Sequence, residues 1–258
     1  MEFRILGPLE VARDGEPLAL GAVQQRALLA VLVLRCGEAV STGRLVDELW
    51  GERAPATAAK TVQVYVSHLR KALGTGVIVT QGRGYRLAAA PGQVDAVRFE
   101  ALGGEGRRAL ASGDAARARE RLCTALGLWR GEPLADFAYE PFAQGEIERL
   151  WEARLVAIED RIEADLALGA DGELVGEIES LIAANPLAER LRGQLMLALY
   201  RAGRQADALA ALRANQKRLA EELGIDPDPA LQRLEREILN QAPTLNWRSQ
   251  PLSPQRVA

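Results

Sequence analysis

The clearest hydrophobic pattern in the chain lies within residues 54–90, APATAAKTVQVYVSHLRKALGTGVIVTQGRGYRLAAA. Val62, Val66, Leu69 and Leu73 recur at i, i+4, i+7 and i+11, which predicts a helix with one buried stripe. At roughly 100° per residue, Lys60, Val64, Ser67 and Lys71 fall on the opposite face, with His68 beside them. Gly74 supplies a C-cap. The run VIVTQGRGYRL then predicts two strands around a glycine-containing turn. Upstream, Phe3–Val11 and Pro17–Leu20 predict short strands joined around Asp14-Gly15, a strong hairpin turn. QQRALLAVLVLRCG predicts a helix apolar almost all round, hence a buried one, ending at Gly37. Ser41 and Thr42 are N-cap candidates for GRLVDELWG, which Gly51 closes. Glu52–Ala56, with Pro55, is an exposed connection to the helix of the first pattern. These elements make one α+β domain ending near Ala90, with Pro91-Gly92 as linker.

From Asp95 onward the period is helical throughout. Helices are expected over Asp95–Ser112, Ala115–Arg130, Phe142–Leu168, Gly172–Ala184, Leu187–Ala202, Gln205–Leu223 and Pro229–Gln241, with an irregular GEPLADFAYEP between the second and third. Turn glycines recur at Gly113, Gly169 and Gly203. The last two are 34 residues apart, the length of a tetratricopeptide unit. ALASGDAARARERL and ALYRAGRQADALAAL share the small-residue spacing that such helix pairs use to pack, so a degenerate all-helical hairpin array is expected. The end, Ala242–Ala258, is rich in Pro, Ser and Gln and is expected to fray.

Charge changes this picture more than composition does. Residues 54–90 carry Lys60, Arg70, Lys71, Arg83 and Arg86 and no Asp or Glu, a formal +5 inside a chain of net −3. Residues 1–94 hold 11 Lys+Arg and 8 Asp+Glu; the remainder holds 21 and 27. A basic first module joined to an acidic second one suits a protein whose first part meets phosphate. A helix with a cationic outer face, followed by a basic-tipped hairpin, is how a winged helix addresses DNA: the helix enters the major groove and the hairpin reaches the neighbouring backbone or minor groove. Two cysteines, Cys36 and Cys123, and a single histidine offer neither a disulfide framework nor a zinc spacing, so no metal or cofactor is expected and the compartment is read as the cytoplasm, around the nucleoid. The longest apolar run, Ala27–Leu34, is eight residues against the ~20 that span a bilayer, so no membrane partner is expected.

FRILGPLEV, QQRALLAVLVLR, LVDELWG and KTVQVYVSHLRKAL with QGRGYRL resemble the OmpR-like winged helix. The continuation, opening VDAVRFEALGGEGRRAL and closing LAEELGIDPDPALQRLEREIL, resembles the bacterial transcriptional activator domain. In this order the pair looks like a short member of the Streptomyces antibiotic regulatory protein family, over roughly residues 2–247. The expected modules are a winged-helix DNA-binding domain at 1–91, an all-helical, tetratricopeptide-like activator domain at 95–247 and a flexible tail at 248–258. The resemblance implies a pathway-specific activator of antibiotic biosynthesis genes that binds tandem direct repeats in double-stranded DNA and recruits RNA polymerase. No receiver domain is expected before the winged helix, so control by aspartyl phosphorylation is not expected, and no nucleotide-binding domain is expected after it, unlike in the larger relatives.

Lys60 and Lys71 lack an acidic partner across their helix, which makes phosphate their natural counterion rather than water alone. Thr61, Tyr65 and Arg70 match family positions that touch the sugar–phosphate backbone; Arg70 alternatively salt-bridges within the domain, and Tyr65 alternatively packs into the core. Gln63, Ser67 and His68 combine donor and acceptor capacity and are candidates for base edges. Val64, apolar on a polar face, either meets a thymine methyl or is an exposed valine without a role. Arg83, between Gly82 and Gly84, is projected by the turn into a minor groove or onto a phosphate. Gln81 and Arg86 belong to the same hairpin, Tyr85 anchors it, and Arg44 can meet a flanking phosphate. In OmpR-like proteins the loop containing Glu52 and Arg53 is the surface that meets polymerase, so these two are candidate contacts to the holoenzyme's sigma factor; otherwise they form a plain surface turn.

LGGEG at 102–106 follows no strand and GRG precedes no GK[ST], so neither is a phosphate-binding loop. The carboxylates of the second half are spread along helices among arginines and read as solvated faces. No nucleophile–base pair supports an enzyme. The first hypothesis is therefore a DNA-binding transcription activator, dimeric at least on DNA. The same residues suit a repressor, and a different class, a tetratricopeptide-like peptide-binding adaptor, is opposed by the +5 stretch.

Overall fold

The computed structural model describes residues 1–222 and 224–246. It forms two compact units: Met1–Glu105 with Arg121–Ala157, and Gly106–Glu120 with the chain from Ile158 onward. Residues 95–105 and 121–157, which the sequence expectation gives to the second module, group by contact with the first unit.

The first unit opens with β1 (Glu2–Arg4), β2 (Glu10–Arg13) and β3 (Glu16–Pro17), an antiparallel sheet in that order. Arg13 pairs with Glu16 around Asp14 and Gly15, both at positive φ, the hairpin that Asp-Gly predicts. The single strand expected over Phe3–Val11 is two. Pro8 has no amide hydrogen to give a ladder, and the amides around it bond elsewhere: Ile5 and Leu6 donate to the Asp95 carboxylate at 2.8 and 3.0 Å, and Leu9 donates to Asp136 at 2.8 Å. The second expected strand, Pro17–Leu20, contributes only Pro17 to β3, although the Leu18 amide still reaches Val11 O at 2.8 Å. Asp95 is 5% exposed. Burial pushes its carboxyl above the usual range, opposed by the amides of Ile5, Leu6 and Ala96.

Helices α1 (Val23–Leu34), α2 (Thr42–Trp50) and α3 (Ala58–Leu73) follow, and α1 buries seven consecutive residues, Ala27 to Val33, as its all-round apolar pattern requires. Ser41 is the N-cap of α2, accepting from the Arg44 amide at 3.1 Å. Val62, Val66, Leu69 and Leu73 of α3 are all buried against α1 and α2. Leu69→Ala is expected to cost about 2–5 kcal/mol, the range for a fully buried leucine, measured by denaturant unfolding.

A second sheet pairs β4 (Ala39–Ser41), β6 (Gly84–Leu87) and β5 (Ile78–Gln81) in that order, all antiparallel. Strand β4 was not expected: its three residues bury only Val40, too few to show an alternation.

Helices α4 (Asp95–Ala111), α5 (Ala115–Leu126) and α6 (Pro141–Ala167) contribute to both units; α7 (Asp171–Ala184), α8 (Glu189–Arg201), α9 (Gln205–Glu222) and α10 (Pro229–Leu239) lie in the second. Each matches an expected helix to within a few residues. Gly113, Gly169 and Gly203 sit at φ +80°, +88° and +78° in the expected turns. In the second unit, α7 packs on α8 and α8 on α9, the antiparallel pairing that short helix connections produce. Buried carboxylates there are neutralised by arginines: Arg190 pairs with Asp160 at 2.7 Å and with Glu159 at 3.5 Å, and Arg119 with Asp165 at 2.6 Å. The expected fraying from Ala242 does not hold for its first residues, since Pro243–Leu245 is a 3-10 turn with Leu245 buried and Leu245 O accepting from Arg201 Nε at 2.7 Å. The expected tail, 248–258, lies outside the described residues.

Candidate nucleic-acid interface

Because one stripe of α3 is consumed by the core, its opposite face is left to solvent. Lys60, Gln63, Val64, Ser67, His68 and Lys71 are all exposed, and Val64 shows 43% of its surface. Among the described residues neither lysine has a carboxylate within 4.0 Å, whereas arginines elsewhere are repeatedly paired. His68 Nδ1 lies 2.9 Å from the Gln25 amide nitrogen on α1.

The flank of the helix is more committed than its outer face. The Thr61 hydroxyl donates to Thr57 O at 3.2 Å, within the helix. The Tyr65 ring, half-exposed, stacks on Trp50 with centroids 6.3 Å apart. Arg70 donates from Nε to Ile78 O at 2.7 Å and from Nη2 to Thr80 Oγ1 at 2.9 Å, and its guanidinium lies 5.8 Å from the Tyr85 ring centre. Its partners inside the domain are a carbonyl and a hydroxyl on β5 rather than a carboxylate, so Arg70 fastens the helix to the wing.

The wing is the β5–β6 hairpin. Gln81 pairs with Gly84 around Gly82, at φ +57°, and Arg83. The Arg83 side chain is exposed while its carbonyl accepts both the amide and the hydroxyl of Thr42, each at 3.0 Å. These two hydrogen bonds from the start of α2 hold the turn. A Cβ on Gly84 would stand 2.1 Å from Val40 O, so only glycine lets β6 approach β4 this closely. Gly84→Ala is therefore expected to cost about 1–3 kcal/mol and to loosen the wing, visible as amide-exchange protection lost at Val40 and Tyr85. Arg86 Nε donates to Gln81 Oε1 at 2.9 Å across the hairpin, and Tyr85 is buried beneath it. Arg44, at the start of α2, lies 3.4 Å from Glu48 and is partly neutralised. Glu52 and Arg53 occupy an exposed 3-10 turn, Gly51–Arg53, between α2 and α3.

The arrangement is thus a helix whose polar face carries unpaired cations and amide, hydroxyl and imidazole groups, beside a hairpin with an exposed arginine at its tip. Among the described residues, no group of three or more His, Cys, Asp or Glu could hold a metal, and no helix is long and apolar enough to cross a membrane.

Comparison with known proteins places the chain by family. The model of the transcriptional regulatory protein C-terminal domain matches residues 15–87, and that of the bacterial transcriptional activator domain matches residues 94–239. Regulatory protein DnrI of Streptomyces peucetius is 37% identical over 257 residues, which cover 95% of this chain and 94% of that protein. The chain belongs to the Streptomyces antibiotic regulatory protein family. Regulatory protein AfsR of Streptomyces coelicolor is 47% identical over 95% of this chain, which spans only 25% of AfsR. The structure of Mycobacterium tuberculosis EmbR in complex with a low affinity phosphopeptide superimposes with a TM-score of 0.89 at 36% identity, covering 98% of this chain and 66% of that one.

For this member of a family of transcription regulators, the sequence did not point to two features of the first unit. Gln25, on the buried helix, touches His68 on the exposed one, a contact between residues 43 apart that no local spacing signals. Asp95 and Asp136 bind the amides of Ile5, Leu6 and Leu9, and Asp136 also pairs with Arg26 at 2.5 Å.

Proposed function

We propose that this chain is a sequence-specific DNA-binding transcription activator of secondary-metabolite biosynthesis genes, with residues 1–91 as the DNA-binding module and 95–247 as the activator domain. The observation that supports it most is the outer face of α3, where Lys60 and Lys71 are exposed and without acidic partners around Gln63, Val64, Ser67 and His68. Lysines in that setting exchange counterions for phosphates, while the amide, hydroxyl and imidazole groups between them present donors and acceptors to base edges. Thr61 and Tyr65 on the flank and Arg44 at the start of α2 contact the backbone. Arg83 reaches the adjacent minor groove or phosphate, with Gln81 and Arg86 behind it. Arg70 holds α3 against the wing and adds positive potential. Glu52 and Arg53, between α2 and α3, meet the sigma factor of RNA polymerase holoenzyme.

Two protomers bind head to tail on tandem direct repeats, each covering about one turn, ~10 bp. Selection of bound duplexes from a random pool tests this directly. The expected product is a direct repeat with a spacing of about 10–11 bp; recovery of unrelated sequences would overturn the tandem reader. In vitro transcription from a promoter carrying the selected repeat then separates activation, an increase in transcript, from repression, a decrease.

One observation favours a second activity in the helical unit. A cavity of about 590 Å³ is walled by Leu166, Leu197, Leu231 and Leu234 and rimmed by Glu163 and Arg190. Its size is within the range of ligand sites, and it would be the groove of a peptide-binding adaptor. Retention of a specific peptide partner by a protein with no affinity for duplex DNA would favour that function over the first.

A further inference from the structure

The contact between α1 and α3 bears on what the recognition face reads. Gln25 Nε2 stands 2.9 Å from His68 Nδ1, and an amide nitrogen can only donate. Nδ1 is then the acceptor, and the proton of the neutral ring sits on Nε2. The far side of the same amide fixes its orientation. Gln25 Oε1 lies against Gly21, 2.2 Å from where a Cβ would be, and Gly21 has φ +81°. Only a Cα hydrogen occupies that space. With the oxygen there the contact is a weak C–H···O interaction; with the amide reversed, an NH₂ group would be pressed onto a C–H. Gly21 leaves room for the amide oxygen, and in this orientation Gln25 is the donor that sets the His68 ring. Nε2 has no hydrogen-bond partner among the described residues, and the side chain is exposed.

We infer that Gln25 is a positioning residue for DNA recognition: it holds the His68 ring with Nε2–H outward, so that this position of α3 reads an acceptor on a base edge. The major-groove acceptors are purine N7, guanine O6 and thymine O4, whereas cytosine presents the N4 amino donor and would be rejected. The inference rests on the proposal that the α3 face reads DNA, and it adds a residue outside α3 to the determinants of specificity.

Two measurements test it, one without DNA. His68 is the only histidine of the chain, so the ring ¹⁵N signals of the intact free protein belong to it alone. The expected spectrum has an unprotonated Nδ1, coupled across the hydrogen bond to the Gln25 side-chain amide, and a protonated Nε2. In Gln25→Met, which keeps the length of the side chain without the donor, the coupling disappears and the Nδ1 signal moves. A protonated Nδ1 with a bare Nε2 in the wild type would overturn the inference whatever the protein binds.

The second measurement uses the duplex recovered by selection, with each base pair of one repeat replaced in turn. Wild type should prefer an acceptor-edged base at one position by roughly 3–10-fold, the worth of one hydrogen bond. Gln25→Met and His68→Ala should each reduce that preference below about twofold at that position alone, and the double variant should be no worse than either. Affinity of Gln25→Met for a scrambled duplex should stay at the wild-type value, which shows the fold and the phosphate contacts intact. An unchanged preference at every position in Gln25→Met would overturn the positioning role. Absence of any duplex binding by wild type would instead sink the DNA-binding proposal, leaving the ring signals to decide the Gln25 contact.

Discussion

Asp95→Ala is expected to lower the stability of the first unit by about 2–6 kcal/mol. Its carboxylate is the hydrogen-bond partner of two buried amides, Ile5 at 2.8 Å and Leu6 at 3.0 Å, and it also accepts from Ala96 at the start of α4. Removing it leaves the two long-range donors unpaired, at about 1–3 kcal/mol each. Ile5 and Leu6 are themselves buried, so water replacing it would have to enter through the cavity of about 180 Å³ that Asp95 lines. The neighbouring carbonyls are occupied as well: Leu6 O accepts from the Arg130 amide at 2.7 Å and Ile5 O from Leu134 at 2.9 Å. Chemical denaturation followed by tryptophan fluorescence measures the loss, since Trp50, Trp129 and Trp151 all lie in this unit. A cost below about 1 kcal/mol would mean that the Ile5 and Leu6 amides find other partners.

The second large effect concerns binding rather than stability. Lys60→Ala/Lys71→Ala is expected to weaken binding to all duplexes by roughly 10–100-fold at low salt and to flatten the salt dependence by about 1.8 in log–log slope, ~0.9 per phosphate contact. Both side chains are exposed and contribute nothing to the core, so the melting temperature should hardly move. That separates them from Arg70. Its guanidinium carries the link from α3 to Ile78 O and Thr80, so Arg70→Ala should lose stability together with affinity. Sequence preference should survive the double lysine change, because phosphate contacts position the protein without reading bases. Loss of selectivity along with affinity would mean that the lysines touch bases.

Where a signal is local and repeated, the sequence was informative. The stripe Val62, Val66, Leu69 and Leu73 alone determined which face of α3 would be buried and hence which residues stand outside. Asp14-Gly15, Gly74 and the turn glycines of the helical region marked their corners because positive φ leaves few residue choices. What escaped depends on contacts distant in sequence. The bonds from residues 5–9 to Asp95 and Asp136 span 89 to 127 positions, so a run that reads as one strand breaks in two. Strand β4 is too short to alternate, and its place beside β6 is betrayed only by Gly84, whose missing side chain makes room for Val40 O. For Arg70 the sequence offered an internal ion pair as the alternative to DNA, but not the carbonyl and hydroxyl of β5 that hold it, and Gln25 lies on a helix whose pattern speaks only of burial.

The central claim is that α3 and the wing bind duplex DNA through unpaired cations, and salt tests it most directly. Affinity of the wild-type protein for the selected repeat should be measured by fluorescence anisotropy from about 50 to 200 mM salt. Contacts from Lys60, Lys71, Arg83 and Arg86 predict a linear log–log plot with a slope of about −3 to −4 per bound protomer, from ~0.9 per contact. A slope near zero, or no binding at the lowest salt, would contradict the assignment of this face to DNA.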